Sequence, residues 1–426
     1  MRVISIVRFI FYFFKGLERN FKIIRYGDVP DIYNSPSTVE RYSFAGAGPL
    51  SIFFVIKELF RHCLRARQSY CVVPEDSIIF CGGTENNERE FVFLTHKILK
   101  GIPEAVYSRE RNLFFLFGEE RRKQYFERLL SGVVFLLVIM YLPRVKMGPV
   151  TFKYLVSYSK LYLRLFCSFR ESCKLPALLV VANDHTDLPV AATMVMRYFR
   201  VPVCYVQHAE VSEFFPPLDF YISILRNQKT LDKYQSISKV RGDVYVVPRS
   251  EKSQRFERIL ESRNILTADV VIYLSSIFNI NVVRDCAEAL LQNPFVATVS
   301  IKPHPRSDAS VFQKIEGVVV CEQIPNFVHL AIVPNSSVSV ELLEQGIPVF
   351  QYFALDAIVE DYYGFVADGI TLPVQREVLF RRFWCKDFYN ASWIERFKKY
   401  SPSLDDDWQA SIDALVEKVE LTLSRH

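Results

Sequence analysis

LAIVPNSSVSVELLEQGIPVFQY, residues 330–352, has the pattern of a strand, a helix and a second strand in that order. The apolar run 330–333 is followed by Asn-Ser-Ser at 335–337, and apolar residues then recur at helical spacing. Gly-Ile-Pro at 346–348 ends the helix, and 349–352 predicts the next strand. Polar residues therefore stand where a strand ends and a helix begins, which is the edge at which open α/β sheets bind ligands.

A second predicted strand, 296–301, ends in the same way. It leads into Lys302-Pro303-His304-Pro305, where the prolines hold the loop extended and His304 can donate to a phosphate oxygen. The N–H groups and hydroxyls that begin the 338–345 helix also suit a phosphate, although helix capping and a plain proline-rich turn are alternatives. Glu341 either accepts hydrogen bonds from ribose hydroxyls or faces solvent. The candidate phosphate- and ribose-binding residues are Lys302, His304, Pro305, Asn335, Ser336, Ser337 and Glu341.

Composition limits the class of protein. A length of 426 residues favours two domains, and 50% hydrophobic with 14% aromatic residues excludes a disordered chain. The net charge of +5 fits an anionic ligand or a membrane surface but is too small to indicate nucleic acid, and no aromatic-basic motif is present. Nine cysteines without a CxxC pair predict neither a disulfide framework nor a zinc site, and favour buried thiols in the cytosol.

The amino-terminal segment leaves two interpretations open. Residues 3–14 are apolar and aromatic, but Arg8 interrupts them and further basic residues follow. This pattern lacks the features of a signal peptide and is too short to span a membrane. It fits a basic helix at a membrane interface, or equally a buried first helix. With the first interpretation, the protein is cytoplasmic and peripheral at the inner face of the cytoplasmic membrane.

The order of the predicted elements indicates an α/β fold. Continuous apolar runs bounded by polar turns alternate with helical patterns, as in parallel sheets covered on both faces. We expect two Rossmann-like, doubly wound domains that face a cleft, with extra helices at the amino terminus. The expected divisions are a first α/β domain over 1–250, a second α/β domain over 266–380, and carboxy-terminal helices over 381–426 that can cross back. Segment 88–165 is predicted to be mainly helical.

Other polar residues follow predicted strands in the amino-terminal half. Of seven histidines, His185, His208 and His304 each follow a strand. A single histidine is more often structural, but three at equivalent sheet edges favour one shared cleft. The candidates for a general base are Asp184, His185, His208 and Glu210, and turn formation is the alternative for each acid. Strand-ending turns add Gly82, Gly83, Ser275 and Ser276 to the cleft, and no metal site is predicted.

Absent motifs exclude several enzyme classes. The chain has no P-loop, no GxGxxG and no GxSxG sequence. This counts against P-loop ATPases, classical NAD enzymes and α/β-hydrolases.

Five short motifs carry a resemblance to a known group of proteins. They are His304-Pro305 after a strand, Ser336-Ser337 before a helix, Glu341, the Gly-x-Pro-Val sequence at 346–349, and Gln207-His208 at the end of an earlier strand. In this combination the chain resembles bacterial GT-B glycosyltransferases of surface and capsular polysaccharide assembly. The most similar groups are capsule-type Kdo transferases, bacterial sialyl- and polysialyltransferases, and CDP-glycerol glycerophosphotransferases. Ala209 stands where glycine is usual, and the acidic base motif of the sialyltransferases has no clear match.

The resemblance implies a function as well as a fold. The His-Pro and Ser-Ser elements would hold the phosphate and nucleotide of an activated donor, with a CMP-linked sugar favoured. An acid of the other domain would act as base, without a metal or other cofactor. The acceptor would be a glycan or lipid-linked glycan, as in capsule or lipopolysaccharide synthesis. A CDP-polyol phosphotransferase, an isomerase related to nucleotide-sugar 2-epimerases and a non-catalytic polysaccharide-binding or export module remain alternatives.

Overall fold

The structure is a computed structural model that describes a defined part of the chain. The described residues are 5–19, 57, 77–82, 85–102, 107–112, 125–141, 149–172, 175–247, 258–260, 265–275, 278–305, 307–356, 360–385, 387–401 and 407–424.

Two six-stranded sheets form the core of the molecule. The first contains β1 Ile78–Cys81, β2 Tyr107–Asn112, β3 Leu178–Val181, β4 Val203–Val206, β5 Ile222–Leu225 and β6 Asp243–Val246. The second contains β7 Ala268–Tyr273, β8 Val296–Lys302, β9 Val318–Val320, β10 Leu330–Val333, β11 Val349–Gln351 and β12 Leu372–Pro373. The described α-helices are α1 Ile6–Arg19, α2 Glu85–Phe93, α3 Tyr125–Tyr141, α4 Pro149–Glu171, α5 Asp187–Phe199, α6 Gln228–Ile237, α7 Ile280–Leu291, α8 Val338–Glu344, α9 Ala391–Phe397 and α10 Asp407–Leu423.

Both sheets are parallel and doubly wound. The strand orders are β2-β1-β3-β4-β5-β6 and β12-β11-β10-β7-β8-β9. The chain reverses its direction of winding between β1 and β3 in the first sheet, and between β7 and β10 in the second. Ligand crevices form at such switch points, outside the carboxyl ends of the strands. The predicted α/β class, with two Rossmann-like, doubly wound domains, is confirmed.

The edge strands show what pattern reading missed. The segment 88–165 is mainly helical, as predicted, but it also contains β2, which pairs in parallel with β1. The sequence of β2, Tyr-Ser-Arg-Glu-Arg-Asn, has no alternating apolar residues because an edge strand need not be buried on both faces. Central strands such as β3, Leu-Leu-Val-Val, are buried at every position and were recognised for that reason.

One face of α1 belongs to the core of the first domain. Phe9, Phe13 and Leu17 are buried against α4 and α5. Tyr162 and Tyr158 of α4 donate their hydroxyls to the carbonyl oxygens of Phe9 and Phe13, both at 3.0 Å. The interpretation as a buried first helix therefore holds for this face of α1.

The other face of α1 is open. Ile6, Val7 and Phe11 are 55%, 79% and 58% exposed. Between the two faces, Gly16 permits close packing, since an added Cβ would lie 1.9 Å from the hydroxyl of Tyr158. Among the described helices, none combines the length and apolar content that a membrane crossing requires.

Helix α10 returns to the first domain. Its residues Ile412, Leu415 and Val419 join the buried cluster on the face of the first sheet that contains Ile78 and Phe80. Lys418 on the same helix forms a 2.6 Å ion pair with Asp243 at the start of β6. The carboxy-terminal segment thus links the second domain back to the first.

The two faces of α1 give a matched test of its packing. Phe13→Ala should lower the free energy of unfolding by about 3–5 kcal/mol, because it removes a fully buried ring and leaves a cavity. Phe11→Ala removes the same atoms from the open face and should change the free energy of unfolding by less than about 0.5 kcal/mol. Urea unfolding followed by far-UV circular dichroism measures both, and equal losses would contradict this packing.

Candidate active site

The carboxyl ends of the two sheets face one cleft. Arg89 on α2, which follows β1, lies 3.4 Å from Glu341 on α8, which follows β10. The ring of Phe214, in the segment after β4, stacks on Tyr362 of the second domain at a centroid distance of 5.5 Å. The polar loops that the sequence placed after strands of both domains therefore meet at the same cleft.

The loop after β3 holds a paired acid and histidine. Asn183 folds the turn, because its side-chain oxygen accepts from the backbone N–H groups of His185 and Thr186 at 2.9 and 2.8 Å. The carboxylate of Asp184 lies 2.8 Å from His185 Nδ1 and accepts a second hydrogen bond from Tyr234 at 2.9 Å. Two of the four predicted acceptor-side residues thus form a direct pair.

The surroundings keep Asp184 ionised. Burial alone would raise the pKa of Asp184, but the hydrogen bonds from His185 and Tyr234 and the charges of His185 and Arg19 bring that pKa below its ordinary value. An ionised carboxylate only accepts hydrogen bonds, so Nδ1 of His185 carries the proton of the hydrogen bond to Asp184. The His185 side chain is 20% exposed, which gives a ligand access to it. This is the arrangement of a general base oriented by a carboxylate.

His208, after β4, is held neutral. Its pKa is lowered to about 3, because burial disfavours the imidazolium and the positive charges of His185 and Arg226 add to that effect. Its Nδ1 has no hydrogen-bond partner among the described residues. His208 therefore does not act as a cation at neutral pH.

Glu210 is a second buried carboxyl group, and its pKa is raised where that of Asp184 is lowered. Burial raises the pKa of Glu210, while Arg226, Lys233 and the hydrogen bond from Asn227 partly offset the effect. The negative charge of Glu341, in the second domain, raises it further. Glu210 is therefore a buried carboxyl group with a raised affinity for a proton.

Gln207 and Arg226 build the loop that carries these groups. The Gln207 side chain accepts from the backbone N–H of Arg226 at 2.8 Å and donates to the carbonyl of Ala209 and the hydroxyl of Thr230, each at 3.0 Å. Arg226 in turn reaches Glu90 at 3.1 Å and the carbonyl oxygen of His208. Sequence reasoning missed Arg226, although its position directly after β5 was a signal.

On the donor side, Asn335 has a structural role. Its backbone N–H donates to Asp356 Oδ2 at 3.0 Å, and its Oδ1 accepts from the N–H of Tyr362 at 2.8 Å. The hydroxyl of Ser336 accepts from the N–H of Val338 at 3.4 Å. Ser337 is the residue that precedes α8. Both serines are partly exposed, whereas the neighbouring Asn335 is buried.

The other predicted donor-side residues follow β8. Lys302 donates to the carbonyl oxygen of Pro303 at 3.1 Å, and burial lowers its pKa. The carbonyl oxygen of His304 accepts from the N–H of Ser307 at 2.8 Å, which bends the loop, and Pro305 is exposed. The fold thus keeps Lys302 and His304 at the carboxyl end of a strand that neighbours β7.

The remaining predicted cleft residues lie in two turns, one after β1 and one after β7. Gly82 allows α2 to approach β1, since an added Cβ would lie 2.6 Å from the Cβ of Asn87. Ser275 ends β7 beside the switch point of the second sheet. Gly83 and Ser276 lie outside the described residues.

A lysine of the first domain enters the second domain beside the site. Lys233 on α6 donates to the carbonyl oxygen of Tyr363 and lies 3.2 Å from the hydroxyl of Tyr400. Its ammonium group is 5.4 Å from the ring centroids of both Phe365 and Tyr400. Such ring contacts attract a cation, so Lys233 joins the domains where no sequence motif indicated it.

Comparison with known proteins finds likeness at the level of fold. No protein-family model matches the chain, and no curated protein matches it in sequence. Among solved structures it is similar to CalG4, the calicheamicin glycosyltransferase, with a TM-score of 0.44 and 13% identity over 83% of this chain and 99% of that one. It is also similar to a putative UDP-N-acetylglucosamine 2-epimerase from Listeria monocytogenes, with a TM-score of 0.43 and 11% identity over 81% of this chain and 98% of that one. A third similar structure is MurG from Acinetobacter baumannii, with a TM-score of 0.42 and 12% identity over 81% of this chain and 100% of that one.

The lowered pKa of His208 predicts an acid sensitivity. The folded protein binds this proton near pH 3, whereas an unfolded histidine binds it near 6.5, so acidification between these values favours unfolding. Between pH 7 and pH 5, wild type should lose roughly 1–2 kcal/mol more unfolding free energy than His208→Gln. Urea unfolding at both pH values measures the difference, and parallel losses in the two proteins would refute it.

Proposed function

We propose that the protein is a GT-B glycosyltransferase that moves a sugar from a nucleotide-activated donor to a glycan or lipid-linked glycan acceptor. The observation that carries the proposal is the pairing of Asp184 with a partly exposed His185 at the cleft. A base oriented in this way can activate a hydroxyl. The second domain presents Glu341 and the loops after β8 and β10 at its carboxyl edge, where α/β domains bind nucleotides.

The first domain supplies the base in this mechanism. Nε2 of His185 takes the proton of the acceptor hydroxyl, and Asp184 stabilises the imidazolium that forms. The acceptor oxygen then bonds to the anomeric carbon of the donor, and the bond between that carbon and the phosphate oxygen breaks. The electron pair of the broken bond leaves with the nucleotide phosphate.

The second domain stabilises the leaving phosphate. Lys302, His304 and the hydroxyls of Ser336 and Ser337 are the donor-side groups suited to this role, and Glu341 suits a ribose hydroxyl. Hydrogen bonds aimed at developing negative charge are among the largest contributions to such catalysis. Orientation of the two substrates and these hydrogen bonds accelerate the transfer without a metal or other cofactor.

The motifs at 304–305 and 336–337 favour a CMP-linked donor and an acceptor of bacterial capsule or lipopolysaccharide type. In this proposal the enzyme works in the cytoplasm, at the inner face of the cytoplasmic membrane. The open apolar face of α1 supports that location, because a surface helix of this composition suits a membrane interface.

A nucleotide screen tests the proposal and the donor together. The melting temperature is measured with CMP, CDP, UDP and GDP, and a cytidine nucleotide should raise it by selective binding to the folded state. His304→Ala should abolish the rise, whereas His96→Ala, an exposed histidine on the first domain, should keep it. No response to any nucleotide would refute the function, and a response to UDP alone would refute the CMP-linked donor.

The paired acid and histidine can be tested once a donor is known. Asp184→Asn should lower kcat by about 10²-fold to 10⁴-fold, because an amide no longer holds the Nδ1 proton of His185 in the same way. Asp232→Asn, an exposed acid on α6, is the matched control and should leave kcat unchanged. Product formation from the donor measures both, with melting temperatures to verify folding. If Asp184→Asn kept more than about half of the activity, His185 would not be the base.

A further inference from the structure

The open face of α1 is a fixed apolar surface. Ile6, Val7 and Phe11 point away from the core, while Phe9 and Phe13 on the opposite face are fully buried. The helix is therefore held rigidly, and its outward side chains do not contribute to that packing. A set of large apolar side chains that the fold presents to solvent marks an interaction surface.

A cation-lined cavity adjoins this surface. The ring of Phe11 packs edge-on against Tyr12, with centroids 5.2 Å apart. Tyr12 lines a cavity of about 340 Å³ whose walls also include Arg197, Arg200 and Tyr221. Residues 201–203, at the start of β4, and Thr422 of α10 complete it. Since Tyr221 and residues 201–203 precede or begin strands, the cavity lies at the amino-terminal edge of the first sheet, opposite the edge that carries the candidate active site.

Two arginines at or near the cavity have no acidic partner among the described residues. Arg200 is exposed and forms no ion pair with any described residue. Arg8 lies 5.6 Å from the ring centroid of Tyr12 and donates to the carbonyl of Arg197 at 2.9 Å, and within the described residues it also lacks a carboxylate.

The nearest carboxylate is shared between several cations. Asp219 pairs with Lys15 at 3.3 Å, with Arg197 at 3.0 Å and with Arg19. One negative charge cannot neutralise three positive ones, so the region keeps an excess of positive charge. Guanidinium groups bind phosphate with particular strength, because they donate two parallel hydrogen bonds.

We propose that this cavity binds the phosphate headgroup of an anionic phospholipid, with Ile6, Val7 and Phe11 inserted at the boundary of the acyl chains. The contact between Phe11 and Tyr12 makes the apolar surface continuous with the cavity, which a lipid requires and a soluble phosphate does not. Basic and apolar side chains on one surface helix favour an anionic membrane interface. The site gives a specific partner to the membrane location proposed above and does not depend on the donor.

Flotation of the full chain with vesicles tests the site. Binding is compared between phosphatidylcholine vesicles and vesicles that also contain phosphatidylglycerol, and the second should bind more protein. Arg200→Asn should weaken that binding by about fivefold, the effect of one basic residue near an anionic surface. Asparagine is chosen because residue 200 has a φ of 67°, a left-handed conformation that asparagine adopts readily. Phe11→Ser should weaken binding by roughly tenfold.

Controls separate this site from charge alone and from soluble ligands. Lys314→Asn removes an exposed cation on the second domain and should leave vesicle binding unchanged. Equal binding to both vesicle types, or equal losses in Arg200→Asn and Lys314→Asn, would overturn the proposal. If glycerol 3-phosphate without vesicles raised the melting temperatures of wild type and Phe11→Ser equally, a soluble phosphate would replace the lipid. The assay uses neither donor nor acceptor, so its result and that of the glycosyltransferase assay stand independently.

Discussion

Arg19 connects the amino-terminal helix to the candidate base, and much of the first domain depends on this connection. Its guanidinium donates to the carbonyl oxygen of Asp184 at 3.1 Å, pairs with Asp219 and lies 4.4 Å from the ring centroid of Phe220. A buried guanidinium is tolerated only when its N–H groups are satisfied, so these contacts define where α1 can lie. Burial alone would raise the pKa of Asp219, but Arg19, Arg197 and Lys15 lower it and keep the carboxylate ionised. Helix α1 is thus part of the site's support and not an appendage.

The two carboxyl groups of the first domain differ because their surroundings differ. Burial acts on both, but Asp184 receives hydrogen bonds from His185 and Tyr234 that lower its pKa below the ordinary value. Burial raises the pKa of Glu210, and its longer contact with Asn227, 3.4 Å, compensates less. Carboxyl groups whose pKa values are pushed apart suit different tasks. Asp184 therefore fits the role of a permanent anion that orients His185, and Glu210 fits that of a group able to hold a proton.

The sequence predicted the sheets better than it predicted the site. Strands buried on both faces, such as β3 and β10, consist of apolar residues throughout, and that signal is local. The edge strand β2 lacks this signal and β12 is only two residues long, which is why both were missed. Asp184 and His185 were found because they follow a strand directly.

The partners of the site residues come from distant parts of the chain and left no local signal. Arg19 is 165 residues from Asp184, and Tyr234 is 50 residues from it. For the same reason, the assignment of Asn335 to the donor could not anticipate its hydrogen bonds to Asp356 and Tyr362, because they depend on how three loops of the second domain meet. Sequence position thus identified which loops reach the cleft, and tertiary contacts decided which side chains remain available there.

The properties of Glu210 belong to both domains. Lys233 lowers the pKa of Glu210 less than burial raises it, and Lys233 itself is held by the carbonyl of Tyr363, the hydroxyl of Tyr400 and the ring of Phe365. The negative charge of Glu341, which also belongs to the second domain, raises the pKa of Glu210. Lys229 adds a 2.5 Å ion pair to Asp368 along the same contact. Since Glu341 and the groups that hold Lys233 belong to the second domain, the pKa of this buried carboxyl depends on the arrangement of the domains as well as on its own loop.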